Sequence, residues 1–420
     1  MGIEGRTVPH LMLPPGRDTY DYRMAMISTA PTVKKERARL VHARLVAQGL
    51  VRPCYSNAAD AVRSFGAMQG QDLPGVVSSI ALRIDLPAAV ADGEDPRVRS
   101  VADAFSDGTV VRGYPMRGTV FALAGADARW ITELAAKPKD WEAPRRRAGL
   151  GIEPHHVDKA RAAAETLLAE HPRGVSRADL FRAWNDAGVS ADGGVGYHLT
   201  TYFIASGLLI YGPHNGRDNN LVLAETWLPK DSGLEAGFNG DRIAATAQLL
   251  NTYLVSHGPA TLRDFAWWTK LPLRDIRTAR GFLGDAVVTW GTDGAGDDLL
   301  ARPTLEAEVH ELADQLDDLH LLPGFDELVL GYQDRLALLS EEQHKVLAPG
   351  NNGVFMKSMV RRGQIVGTWR SPKASGAAGH RNRRPLKHEP FAPLPKTAER
   401  ELARAYARYP HADSLTMGDT

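Results

Sequence analysis

This chain is poor in cysteine, in long apolar runs and in net charge, and each shortage removes a class of function. Cys54 is the only cysteine among 420 residues. That excludes a disulfide framework and any cysteine-based zinc finger, and it fits a reducing, cytoplasmic setting. No run of about 18 apolar residues occurs, so no membrane span is expected. Fifty basic residues balance 50 acidic ones, which is not the balance of a protein that binds polyanions through generalised basicity. Walker loops, dinucleotide fingerprints and Ser-His-Asp elbows are missing too, and no cofactor is expected. His155-His156 has no HExxH or Cys/His context, so it reads as helix-start polarity and no metal is expected.

What is present is an ordinary globular composition, 43% hydrophobic and 24% charged. At 420 residues, two or more packed units are expected. Charge is locally uneven. Residues 285–318 hold Asp285, Asp293, Asp297, Asp298, Glu306, Glu308, Glu311, Asp314, Asp317 and Asp318 against Arg302 alone. Residues 370–388 hold Arg370, Lys373, Arg381, Arg383, Arg384 and Lys387 and no acid. Local fields, not net charge, would steer a polyanion here.

A Pro-, Gly- and Thr-rich stretch, 1–33, reads as a flexible leader. Helical spacing starts at Lys34 and stops at Gly49, and a second helix is expected over Asn57–Phe65. Residues 114–123 read as a loop entering a strand. The plan of helices followed by a strand recurs over 156–213 and 242–291, with helices at Val157–Glu170, His198–Ala205, Arg242–His257 and Leu273–Leu283. After Leu319 strands and tight turns dominate. A hairpin is expected with strands Val354–Val360 and Gln364–Trp369 about the turn Arg361-Arg362-Gly363, and a last helix over Pro395–Tyr409. The expected fold class is therefore α+β, divided into a leader (1–33), three helix-turn-helix units with wings (34–150, 151–235, 236–300) and a β-rich C-terminal domain (301–420).

Within the first unit, Met68-Gln69-Gly70-Gln71-Asp72-Leu73-Pro74-Gly75 carries the most information. Glutamines at i and i+2 share a side only if the backbone is extended. Asp72 is placed to cap a helix through Val76–Leu82. Two neutral amides can hold a water or read a base edge, but they cannot remove a proton.

Five segments together resemble a known family: Ala67–Pro74, Pro115-Met116-Arg117-Gly118-Thr119, Leu321–Asp326, Gly331-Tyr332-Gln333-Asp334-Arg335 and the strand ending Gly367-Thr368-Trp369. The family is that of the bacterial winged-helix DNA glycosylases that unhook interstrand crosslinks and excise bulky N7-alkylguanines. Its nearest branch is similar to self-resistance enzymes against azinomycin- and trioxacarcin-type alkylating antibiotics. The resemblance spans about 35–410. It implies three tandem winged helices, a C-terminal β-barrel and a C-shaped DNA channel. It also implies that Gln69 and Gln71 fill the outer positions of a catalytic glutamine–aliphatic–glutamine/aspartate motif. Gly70 departs from that motif, since the family has an aliphatic residue between the two.

The chemistry suits the residues. Alkylation at N7 makes guanine cationic and already a good leaving group, so what remains is to hold the nucleotide and aim a water at C1′. The expected activity is monofunctional, without a lysine Schiff base. The expected partner is duplex DNA carrying a bulky N7-guanine lesion, bound by a monomer. Arg117 and Thr119 are candidates for the lesion strand, Arg361 and Arg362 for a groove, and Arg381, Arg383, Arg384 and Lys387 for phosphates. Each has a plainer reading: an ion pair for Arg117, a solvated tip for Arg361 and Arg362, and a disordered loop for the basic run. Asp72 reads as a helix cap before it reads as a base, and Trp267-Trp268 as core before a stacking platform. The alternative function is a non-enzymatic winged-helix regulator reading DNA with a recognition helix. Against it, His198–Phe203 has no basic residue, although Arg274–Arg280 is better suited.

Overall fold

The computed structural model describes residues 31–88, 95–137, 144–215, 218–351, 353–371 and 386–412. Most of the expected leader, and Arg381, Arg383 and Arg384, lie outside the described residues. Eleven strands are described: β1 (Met68–Gln69), β2 (Val110–Met116), β3 (Thr119–Ala124), β4 (Leu209–His214), β5 (Asn219–Leu223), β6 (Val288–Thr292), β7 (Asp298–Ala301), β8 (His320–Leu322), β9 (Lys357–Arg361), β10 (Gln364–Arg370) and β11 (Lys387–Pro390).

The expected helices form where caps and spacing place them. Asn57 accepts a hydrogen bond from the Asp60 N–H to open Ala58–Phe65, whose Ala58, Ala61, Val62 and Phe65 are buried. Asp241 caps Arg242–His257 in the same way, and Ser176 caps Arg177–Asp186. Gly49, with φ +67, follows the N-terminal helix Pro31–Ala47 as a left-handed stop.

Three runs of helices each end in an antiparallel hairpin: β2–β3, β4–β5 and β6–β7. The first two hairpins merge into one five-stranded sheet of order β1-β3-β2-β4-β5, joined where Arg112 pairs with Tyr211. The third stands as a separate two-stranded ribbon. Residues 114–123, expected as a loop entering a strand, are a hairpin with its tip at Arg117-Gly118. β2 was hidden because all seven of its residues are buried, which removes the alternation that marks a strand, and because Gly113 and Pro115 interrupt it.

Two expectations need correction. Among the described residues the C-terminal part is no barrel: it is an open antiparallel sheet of order β11-β10-β9-β8. Closure requires an outer strand to find a partner on the far edge, and β11 pairs with β10 alone. The N-terminal helix, assigned to the first unit, packs into the C-terminal part. Val41 and Leu45 share a core with Leu322, Leu328, Leu339 and Val360, and the Arg44 guanidinium lies 3.6 Å from the Tyr332 ring centroid. The segment 323–327 thereby comes against the first unit, where Glu327 accepts from the Gln69 N–H.

Candidate active site

β1 is only two residues long, but its register decides the site. Met68 pairs with Ala122 and Gln69 with Phe121, and the Gly70 N–H extends the ladder by donating to Val120 O at 2.8 Å. The chain bends at Gln71. Side chains of one strand alternate faces, so Gln69 shares its face with Phe121, and Thr119 lies on that face too. Gln69 is 4% exposed, whereas Gln71 is half-buried.

Gly70 is required by the close approach of two backbones. A Cβ there would meet Ala122 N and Phe121 C at 3.0 Å, and backbone atoms cannot swing aside. A branched aliphatic residue at the middle position would need the β3 backbone to give by a few tenths of an ångström.

Two buried charges of opposite sign pin the same dipeptide. Glu327, fully buried, accepts from the Gln69 N–H at 2.6 Å through Oε1. Its Oε2 accepts from Trp268 Nε1 and faces His257 Nε2, each at 3.3 Å. Arg112, 5% exposed, donates to Gly70 O from Nε at 3.0 Å and Nη2 at 2.8 Å. Its Nη1 reaches Asn219 Oδ1 at 2.7 Å, tying the motif to β5. Charge-assisted bonds to backbone groups are the strong kind, and here they hold both flanks of one peptide segment.

Glu327 is presented by the 323–327 loop, which has its own anchor. Arg83 donates to both carboxylate oxygens of Asp326, each at 3.0 Å, and Ser79 Oγ adds a third bond at 2.7 Å. Burial would raise the Asp326 pKa, but the charge and hydrogen bonds of Arg83 hold it below the usual carboxylate value. Asp72 takes the N-cap position of Leu73–Ala81, as the sequence indicates, but its carboxylate, lying over Gly75, makes no side-chain cap hydrogen bond.

At the β2–β3 tip, Arg117 turns back over aromatic rings. Its guanidinium carbon lies 4.5 Å from the Trp267 centroid and 5.3 Å from that of Phe121. Burial lowers its pKa to about 10 against the attraction of Glu327, and the neighbouring Arg335 pushes the same way as burial. Gln69 Nε2, Thr119 Oγ1 and Arg117 Nε are all buried without a hydrogen-bond partner among the described residues. Buried polar atoms are paired in the great majority of cases, so three orphans on neighbouring strand positions are unusual.

The other candidates do not gather here. Arg361, a candidate for a groove, is held in a two-bond ion pair with Glu401, at 2.7 and 3.0 Å. Arg362 is exposed and sits 3.6 Å from Asp317. Lys387 is exposed at the start of edge strand β11. Trp268 is core, as expected, whereas Trp267 is only partly buried. His156 Nδ1 accepts from the Glu153 N–H, completing a capping box. Among the described residues no cluster of His, Cys, Asp and Glu is grouped to hold a metal ion. Sequence reasoning missed Arg112 and Glu327. Glu327 directly follows one of the matching segments and Arg335 ends another, but neither spacing nor residue type assigned them a task.

A rigid, neutral amide donor beside a hydroxyl and a buried guanidinium can orient a polar ligand or a water. The carboxylate that binds the Gln69 backbone, that of Glu327, is fully enclosed. The family described as DNA glycosylase AlkZ-like matches residues 62–411. An interstrand DNA cross-link repair glycosylase of Streptomyces sahachiroi is 25% identical over 331 residues, covering 74% of this chain and 82% of that protein. The solved structure of Streptomyces sahachiroi DNA glycosylase AlkZ superposes with a TM-score of 0.64 at 22% identity, over 89% of this chain and 97% of that one. This chain belongs to the AlkZ-like family of DNA glycosylases.

Proposed function

We propose that this glycosylase hydrolyses the N-glycosidic bond of bulky, cationic N7-alkylguanines, leaving an abasic site without cutting the strand. Gln69 and Gln71 orient the water that attacks C1′ as the C1′–N9 bond breaks; the cationic base leaves as neutral N7-alkylguanine without protonation, and the proton of the added water passes to bulk solvent. The observation that carries this reading is the Gln69 amide, whose Nε2 is enclosed without a partner while its backbone is fixed by Glu327 and its neighbour by Arg112. An amide left unpaired in so rigid a setting is preorganised for a ligand. Acceptance of interstrand crosslinks is part of the proposal and is supported by the likeness to the cross-link repair glycosylase of Streptomyces sahachiroi. Repair of, or self-resistance to, a DNA-alkylating natural product is the corresponding role.

In this reading the units 34–150, 151–235 and 236–300 act as winged helices around duplex DNA, with 301–420 closing the channel. Arg117 and Thr119 face the lesion strand. Arg362, Lys387 and the basic run with Arg381, Arg383 and Arg384 add phosphate contacts, while Arg361 supports the hairpin through Glu401.

The test is a duplex with one N7-alkylguanine, incubated with the protein and treated with alkali. Strand breaks at the lesion are expected, and Gln69→Ala should slow their single-turnover formation by at least about 100-fold, the usual cost of removing a preorganised donor. Full activity in the Gln69→Ala, Gln71→Ala double variant would remove the mechanism. An equal loss in Asp72→Asn would add a general base, Asp72, to the mechanism.

A further inference from the structure

The Gly70 carbonyl lies between the two glutamines of the motif, and the groups that hold it come from two different units. Glycine has no side chain to restrict its ψ, so the peptide plane leading into Gln71 needs an outside hold. Upstream, the ladder ends with the Gly70 N–H on Val120 O. Downstream, Asp72 O accepts from the Val76 N–H at 2.8 Å and opens the helix Leu73–Ala81. Between these anchors the chain bends at Gln71, whose direction follows from the Gly70–Gln71 peptide plane.

Arg112 holds that plane. Its Nε and Nη2 converge on Gly70 O, so a rigid fork grips the oxygen where a single bond could swivel. The third nitrogen sets the angle of the fork itself. Nη1 donates to Asn219 Oδ1 at 2.7 Å, and Asn219 Nδ2 donates in turn to Gly212 O at 2.7 Å. Arginine only donates and a carbonyl only accepts, so an amide is suited to join the two, oxygen to one and nitrogen to the other. Asn219 is 3% exposed, and its own N–H is held by Asp218 Oδ1 at 2.8 Å. Asp218 also reaches Arg112 Nη1 at 3.3 Å, but its side chain is 41% exposed and already accepts from Arg177 at 3.0 Å. The enclosed partner of Arg112 is Asn219. Gly212 and Asn219 lie on β4 and β5 of the second hairpin, and the seam between the hairpins has its register pair at Arg112 and Tyr211.

We propose that Arg112 and Asn219 are positioning residues for base release, an inference that rests on the glycosylase reading. Asn219 aims the Arg112 guanidinium, which sets the Gly70–Gln71 peptide plane and with it the direction of the Gln71 amide. Both residues are enclosed, so they act through Gln71 and not on the substrate. The second unit thereby contributes to a site whose glutamines belong to the first.

Two variants test this. Arg112→Lys keeps the charge but cannot fork, and Asn219→Ala leaves Nη1 without its enclosed acceptor. Each should slow single-turnover base release from an N7-alkylguanine duplex about tenfold, the scale of a charge-assisted bond. Affinity for a duplex with a tetrahydrofuran abasic analogue should stay within about twofold, because the loss falls on the chemical step. In a Gln71→Ala background neither substitution should slow release further, and the pair together should be no worse than Arg112→Lys alone. A second readout does not depend on catalysis. Isotope labels on the glycine carbonyl carbon and the glutamine backbone nitrogen select two peptide bonds, Gly70–Gln71 and Gly363–Gln364. Both variants should move the Gly70 carbonyl resonance upfield, as a weakened hydrogen bond requires, and leave Gly363 in place as the internal control. Melting curves confirm folding, and Asn219→Ala carries the test alone if Arg112→Lys does not fold. A Gly70 resonance that stays put, a full further loss in the Gln71→Ala background, or a loss confined to duplex affinity would overturn the proposal. A moved resonance with no base release by the wild type would remove the glycosylase reading and leave the clamp on Gly70 standing.

Discussion

Two hairpin tips in this chain carry the same dipeptide, and the molecule uses them differently. Arg117-Gly118 and Arg362-Gly363 both turn with positive φ at each residue, 56° and 64° in the first, 52° and 67° in the second. Two-residue hairpin turns of that kind suit the twist of the flanking strands, and glycine at the second place avoids half of the steric cost. The environments then diverge. The first arginine folds onto Trp267 and Phe121 beside the Gln69 strand, with its Nε buried and unpaired. The second points outward, 3.6 Å from Asp317, while Gly363 rests on the backbone of Ala38. Turn chemistry fixes where a strand reverses, and the surface on which the tip lands decides whether it can act.

The largest effect should come from what lies behind the first tip. Glu327→Ala leaves the Gln69 N–H, the Trp268 indole N–H and His257 without their common acceptor in a dry interior. A loss of about 3 kcal/mol is expected from urea unfolding, the lower end for breaking a buried charged network. Glu401→Ala, behind the second tip, removes a partly buried pair with Arg361, 11% and 26% exposed, and should cost less, about 1–2 kcal/mol for its charged hydrogen bonds. Similar values for the two would erase the contrast between a buried and a partly buried brace.

Next in size is the direct exchange of tips. Arg117→Ala should slow single-turnover base release by about 10- to 100-fold, the range for a charge-assisted contact of roughly 1.5–3 kcal/mol. Arg362→Ala should stay within about twofold, since an exposed arginine contributes one screened charge. If both variants lose activity equally, the second tip also reaches the substrate.

These contrasts show how far the residues alone carry. Caps and periodic helices were legible: Asn57, Ser176 and Asp241 hold the places their types favour, and Arg242–His257 has the expected ends. The C-terminal turn was legible from its glycine, though β9 starts at Lys357 and not at Val354. Strand β2 was not, because burial on both faces erases the period-2 signal. At the site, Gln69 and Gln71 stood out by spacing, and a family resemblance made them specific. Arg112 and Glu327 did not stand out. A charged residue in a strand or in the first turn of a short helix looks like any surface charge until tertiary folding encloses it. Long-range pairing, such as Glu327 with Gln69 across 258 positions, leaves no local trace.

A smaller difference should separate the two tip glycines. Alanine at either place is strained by about 1 kcal/mol in the left-handed region. At Gly363 the new Cβ would also meet Ala38 O at 2.9 Å, forcing the hairpin away from the N-terminal helix. Gly118 is exposed. Gly363→Ala should therefore unfold at lower urea than Gly118→Ala, while Gly118→Ala should be the more harmful to base release. The reverse pairing of effects would mean that the first tip is the structural one.

The smallest expected effect distinguishes the tips by their response to acid. His320 on β8 pairs opposite Val360, next to the strand end that leads into the second tip. Burial, with a further push from His42, lowers its pKa to about 4. In the unfolded chain the imidazole takes a proton near its ordinary value, so between pH 6.5 and about 4 the unfolded state binds more protons. Stability must therefore fall as pH drops through that window and be fully retained above it. A loss on the order of 1 kcal/mol at pH 5.5 is expected for this group. His198, lowered to about 4 by burial and by Arg146 and Arg147, acts in the same direction. His320→Leu should accordingly remove part of the acid slope in urea unfolding and leave base release at pH 7.5 unchanged, because the imidazole is already neutral there. A full acid slope in His320→Leu would move the sensitivity to the second helical run, and a loss of base release would tie β8 to the active site after all.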